Sequence, residues 1–176
     1  MGSSEVLIVV AGPVGLTAAI ELARQDLQVR VIDRSEERTA LSKAVGVNVQ
    51  SMVLLEPSGL TERLVDAGLR ITRANLWFDG ALLVTLDLSL ARHRYNFLLA
   101  LPQCETERIL EQRLAEFGVS VEREVTLTSL RDEGDRVSAQ VTRGDEGKEE
   151  LVVGRVLGAD GSRSLAREQA GIDFVG

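Results

Sequence analysis

The run Val6-Leu7-Ile8-Val9-Val10-Ala11-Gly12-Pro13-Val14-Gly15-Leu16 constrains this chain more than any other. Its first five residues are apolar and mostly β-branched, without polar alternation, as in a strand covered on both faces of a parallel sheet. Past Gly15 the period changes. Leu16, Ala19, Ile20 and Ala23 recur at helical spacing, and Glu21, Arg24 and Gln25 take the opposite side. Leu27, Val29, Val31 and Ile32 then form a second strand that stops at Asp33. Strand, glycine loop, helix and strand within about thirty residues make a βαβ unit, whose crossover is right-handed and whose strands are parallel.

The loop has the form used to hold a dinucleotide. In G-x-G-x-x-G the first glycine makes the tight turn, the second admits the pyrophosphate and the third lets helix and strand pack closely. Those places hold Val10, Gly12 and Gly15. The pyrophosphate is expected against the N-terminus of the helix, where unbonded N–H groups and the positive dipole end favour an anion. Asp33, eighteen residues after Gly15, is spaced to accept a hydrogen bond from a ribose hydroxyl. Val10 departs from the pattern, because a β-branched residue cannot take positive φ without strain. Two consequences stay open: weakened binding on an otherwise intact site, or a degenerate unit that has lost its ligand. The retained site chemistry favours the first.

Downstream, residues 34–46 are polar and read as a loop, 49–55 and 61–67 as short helices, and 71–101 as strands around the turn Asp79-Gly80. Helix returns over 105–117, with Gly118 where a C-terminal cap belongs, and a strand follows at 119–121. Alternating runs at 125–130, 137–141 and 151–157, separated by Asp/Glu/Gly turns, read as an antiparallel meander. The expected class is α/β, a Rossmann-like nucleotide domain with a parallel sheet plus a β-meander.

Composition narrows the function. With 20 Lys+Arg against 27 Asp+Glu the net charge is −7, and no basic stripe suits a nucleic acid. No run approaches the roughly 18 apolar residues that span a bilayer, and no secretory pattern opens the chain, so a cytoplasmic setting is expected. One cysteine, Cys104, and one histidine, His93, leave no basis for an internal disulfide or a metal site. Cys104 reads as a packing residue, and His93 is given no role.

The motifs Val9-Val10-Ala11-Gly12-Pro13-Val14-Gly15-Leu16, Val31-Ile32-Asp33-Arg34, Leu101-Pro102-Gln103, Thr106-Glu107 and Gly158-Ala159-Asp160-Gly161-Ser162-Arg163-Ser164 together resemble the single-component FAD-dependent aromatic hydroxylases. The likeness is closest to the hydroxylases of aromatic polyketide pathways and covers the N-terminal portion of that family. The resemblance implies an FAD-binding domain at residues 1–70 and 102–176, interrupted at 71–101 by the start of a β-rich substrate domain. It implies that Gly12, Pro13, Val14 and Gly15 meet the pyrophosphate, Asp33 the ribose and Arg34 the adenine. Lys43 would stand near the pyrophosphate, where the family has arginine, unless it is an exposed loop lysine. Gln103 would reach the ribityl chain or flavin edge, and Val125 the adenine through its backbone. Asp160 would carry the motif the family associates with FAD and NADPH.

Catalytic residues are not assigned. The family's second flavin-contacting segment and most of its substrate domain are missing from this sequence. The expectation is therefore an incomplete monooxygenase, inactive alone, with apolar surface left for self-association or for a missing C-terminal half. Its reductant would be NADPH and its substrate a small aromatic ring. Two alternatives remain: a non-catalytic or degenerate nucleotide-binding module, and an NAD-dependent dehydrogenase domain, against which the Gln103 and Asp160 motifs count.

Overall fold

A computed structural model describes residues 5–38, 44–144 and 147–175. In chain order its strands are β1 (Val6–Val9), β2 (Val29–Ile32), β3 (Gly46–Val47), β4 (Leu69–Ile71), β5 (Arg73–Phe78), β6 (Ala81–Asp87), β7 (Leu98–Ala100), β8 (Val121–Glu122), β9 (Val125–Asp132), β10 (Val137–Arg143), β11 (Lys148–Val153) and β12 (Arg155–Gly158). The helices are α1 (Pro13–Ala23), α2 (Val49–Leu55), α3 (Leu60–Ala67), α4 (Gln103–Ala115) and α5 (Leu165–Gln169). The chain divides into two compact units, residues 1–38 with 110–176, and residues 39–109.

The first unit is built on the βαβ element. β1, β2, β8 and β12 form one parallel sheet in the order β12-β1-β2-β8. Period-two alternation gives β1 two buried faces. Leu7 and Val9, with Ile32 of β2, pack on Val125, Leu127, Ala139, Val141, Leu151 and Val153 of a three-stranded antiparallel meander, β11-β10-β9. Ile8 and its register partner Val31 occupy the other face, where α1 buries Leu16, Ala19 and Ile20. Helix, parallel sheet and meander are the three layers of this unit. They account for the polar-free run in β1.

The sequence-based reading of 151–157 as one meander strand is corrected. β11 ends at Val153, and β12 leaves the meander to pair in parallel with β1, Val6 opposite Arg155 and Val9 opposite Gly158. Gly154 makes the transfer possible: a Cβ there would lie 2.9 Å from the Glu5 carbonyl oxygen. The strand expected at 119–121 forms at Val121–Glu122. The helix expected over 105–117 begins at Gln103 and ends at Ala115, with Gly118 at φ +75°.

In the second unit, α2 and α3 bury Met52, Leu55, Leu60 and Leu64, and β3, β7 and β4 form an antiparallel sheet around Leu99. β5 and β6 make a separate hairpin, closed by Asp79 at φ 47° and Gly80 at φ 74°, the paired left-handed conformations of a type I′ turn.

Candidate dinucleotide site

The parallel sheet delivers its loops to one edge. At the C-terminal end of β1 the chain makes a tight turn: Val10 sits at φ 80°, and its N–H donates to the Ile32 carbonyl at 2.8 Å. Ala11 N–H donates to Asp33 Oδ2 at 2.9 Å. Gly12 caps α1 in extended conformation, its carbonyl accepting from Leu16 N–H at 2.9 Å, and no side chain caps the helix. Pro13 opens α1, a position where a missing N–H costs nothing. An α-helix leaves first-turn amides without intrahelical acceptors, which here are those of Val14 and Gly15.

The two glycines serve different purposes. A Cβ on Gly15 would lie 2.1 Å from the Val10 carbonyl oxygen and 3.2 Å from Ile8 Cγ2, so this glycine is demanded by the fold itself. A Cβ on Gly12 would meet nothing within 4 Å, and its backbone is one any residue adopts. The fold makes no demand for glycine there. The open space lies at the start of α1, and the backbone N–H groups of a helix N-terminus are a general anion-binding feature.

Asp33, at the end of β2, is 7% exposed. Its Oδ2 holds the phosphate loop through Ala11, and its Oδ1 accepts from Ser35 N–H at 2.8 Å. Its backbone is bound on both sides, N–H to the Glu122 carbonyl at 2.9 Å and carbonyl from Val125 N–H at 3.0 Å. Val125 is itself in the core, and Arg34 is exposed. From β12 the Gly158 loop reaches the same edge, with Ala159 N–H bonded to the Val9 carbonyl at 2.9 Å. The Asp160 carboxylate accepts from Ser164 Oγ–H and, at 3.2 Å, from Ala166 N–H, so it organises the start of α5. Gly158 is required by packing, since its Cβ would stand 2.6 Å from that of Ala166. Gly12, Pro13, Val14, Gly15, Asp33, Arg34, Val125 and Asp160 thus share one strand-end edge, where open α/β sheets take ligands.

Residues 3–176 match the FAD binding domain family. The chain belongs to that family. FAD is accordingly the cofactor of the domain, and the glycine cradle with its acidic partner fits the ADP portion of that molecule. The chain is 40% identical to the 6-methylpretetramide 4-monooxygenase of Streptomyces rimosus over 98% of its own length and 31% of that protein's. The anhydrotetracycline hydroxylase of Streptomyces rimosus superposes with a TM-score of 0.87 at 35% identity, covering 98% of this chain and 34% of that one. The Diels-Alderase of pyrroindomycin biosynthesis superposes with a TM-score of 0.84 at 32% identity, covering 99% and 36%. The chain spans about a third of the length of these relatives.

Within this FAD binding domain, Gln103 belongs to the second unit, where it opens α4 and donates through Nε2 to Glu107 Oε1 at 2.8 Å. Glu107 is 4% exposed. Lys43 lies outside the described residues. Sequence reasoning missed Arg123, which follows β8 and stands with Nη1 3.7 Å from Asp33 Oδ2 while Nη2 donates to Glu111. Its only sequence signal is its place just past a strand end. Beneath the edge, Glu122 accepts a two-pronged bond from Arg30, at 2.5 and 2.9 Å, and another from Arg143. Burial raises the Glu122 carboxyl, but the two guanidiniums outweigh it and hold the group below its ordinary range. Among the described residues no helix is long and apolar enough to cross a membrane, and no cluster of metal-ligating side chains occurs.

Proposed function

We propose that this chain is the FAD-binding portion of a flavin- and NAD(P)H-dependent monooxygenase of small aromatic rings, in the class that tailors polyketides, and that it does not hydroxylate alone. The observation that carries the reading is Gly12, a glycine the fold does not need, over an uncapped helix end. In this reading Gly12 and the amides of Val14 and Gly15 hold the pyrophosphate, with Pro13 fixing the first turn. Asp33 takes a ribose hydroxyl, Arg34 and the Val125 backbone flank the adenine, and Lys43 adds positive charge beside the phosphates. Gln103 serves the ribityl chain or flavin edge, and Asp160 the loop that borders both FAD and NADPH. A bound flavin, held by these residues, would supply the redox chemistry of hydride acceptance and oxygen activation. The protein supplies orientation and shelter from water.

Residues 71–101 are read as the start of a substrate domain, and residues 1–70 and 102–176 as the nucleotide domain around it. A cytoplasmic setting is part of this reading, since NAD(P)H is supplied there. The length ratio supports incompleteness: the aligned relatives are about three times as long as this chain.

Titration of the 176-residue chain with FAD and NAD, followed by flavin fluorescence and calorimetry, tests the site. FAD binding without comparable NAD binding is expected, and NAD preference overturns the reading. Added FAD and NADPH should leave phenolic substrates unconverted. Turnover would show that the chain suffices by itself.

A second reading is a nucleotide-binding module without redox chemistry. It is favoured by Val10 at φ 80°, a strained substitute for glycine, and by a relative that is a Diels-Alderase. Absence of flavin reduction by NADPH in any longer form of the protein would favour it.

A further inference from the structure

We propose that Arg123 is a positioning residue for the adenosine half of the dinucleotide, acting through Asp33. The proposal rests on the reading that Asp33 meets the ribose. Asp33 has two tasks on one nearly buried carboxylate: Oδ2 already holds the phosphate loop through Ala11 N–H at 2.9 Å, and Oδ1 is bound to Ser35 N–H at 2.8 Å. A carboxylate so placed has given up most of its water, and a fixed cation beside it helps to hold its rotamer. Among the described residues Arg123 brings a cation within 4 Å, its Nη1 3.7 Å from Oδ2.

The guanidinium is held on its other side. Nη2 donates to Glu111 Oε1 from α4, and Glu111 Oε2 meets Arg38 Nε at 3.1 Å. Negative and positive groups alternate from Asp33 through Arg123 and Glu111 to Arg38, all within the first unit. Because the guanidinium is planar and its donors are fixed in a fork, anchorage at Glu111 sets where the other prong lies. Arg123 therefore adds a fixed positive charge beside a carboxylate already held by Ala11 and Ser35 N–H, which keeps Asp33 in the rotamer that bonds the loop amide. Lysine reproduces the charge but not the fork.

The test uses the full chain and calorimetric titration with ADP and FAD. Arg123→Gln should weaken both ligands about 3- to 10-fold, the loss expected of one partly buried ion pair. Arg123→Lys should recover part of that affinity. In an Asp33→Asn background, Arg123→Gln should cost almost nothing more, the signature of a residue that acts through its neighbour. Glu111→Gln, which leaves the guanidinium in place but loosens it, should show a smaller loss and serves if Arg123→Gln does not fold. Unchanged ADP affinity in Arg123→Gln, or fully additive losses in the double variant, would overturn the proposal while leaving the FAD site standing. A parent chain that binds neither ADP nor FAD would overturn both.

Discussion

At residue scale the phosphate loop divides its glycine positions by what each is for. Gly15 is a packing glycine: the backbone oxygen of Val10 occupies the place its Cβ would take. Gly15→Ala should destabilise the chain by about 3 kcal/mol or more, because a backbone atom has to move, and lower the melting temperature by roughly 6–12 °C. A change under about 2 °C in thermal unfolding would contradict it. Val10 is strained in the opposite sense, a β-branched side chain at φ 80° where glycine is at ease. Val10→Gly releases roughly 1–3 kcal/mol of strain, against a partial loss of apolar packing. It should tighten FAD several-fold by letting the turn seat freely, and an unchanged dissociation constant would locate the limit elsewhere. The sequence already marked position 10 as one that calls for positive φ, since the G-x-G-x-x-G spacing is a backbone requirement. The same spacing also assigned Gly12 to the ligand and Gly15 to packing, but it could not show which atoms lie across from each, and Arg123 was invisible for that reason.

At the scale of elements, local periodicity carried most of the fold. The βαβ unit, α2, α3 and the hairpin turn at Asp79-Gly80 follow from patterns within a few residues of each other. β12 does not. Its alternation is equally good for a meander strand or a parallel partner of β1, and only the distant register with Val6–Val9 decides. The same limit hid the ionic group on the sheet, where Arg30 of β2 and Arg143 of β10 converge on Glu122 of β8. That group makes a pH prediction. The Glu122 carboxyl is held below its ordinary value near 4.5, so its contribution to stability is full above that value and is lost as pH falls through the lowered one. Glu122→Gln should therefore lower the melting temperature by roughly 2–6 °C at neutral pH, and the gap should close in acid. Melting curves of the two chains with a gap that stays constant across pH would refute the role of ionisation.

For the molecule as a whole, the second unit carries a consequence of its own composition. Every residue of β5 is exposed, and Trp77 and Phe78 are exposed by 62% and 75%. A two-stranded ribbon with apolar side chains on both faces is marginal in water. The chain should self-associate with rising concentration, reported by a blue shift of its sole tryptophan, and Phe78→Lys should suppress it. A sedimentation profile that stays monomeric at all concentrations would contradict this. Fold class and phosphate loop were legible from the first forty residues, and exposed apolar surface was expected, but its location on the β5–β6 hairpin was not, since alternation alone does not reveal what covers a face.

If the space over Gly12 is kept for a dinucleotide and not for the fold, a methyl placed there costs binding and spares stability. Calorimetric titration of the parent chain and Gly12→Ala with FAD tests it directly, with thermal unfolding run alongside. Gly12→Ala should melt within about 1 kcal/mol of the parent and bind FAD at least about tenfold more weakly. Equal FAD affinity in the two chains would contradict the account.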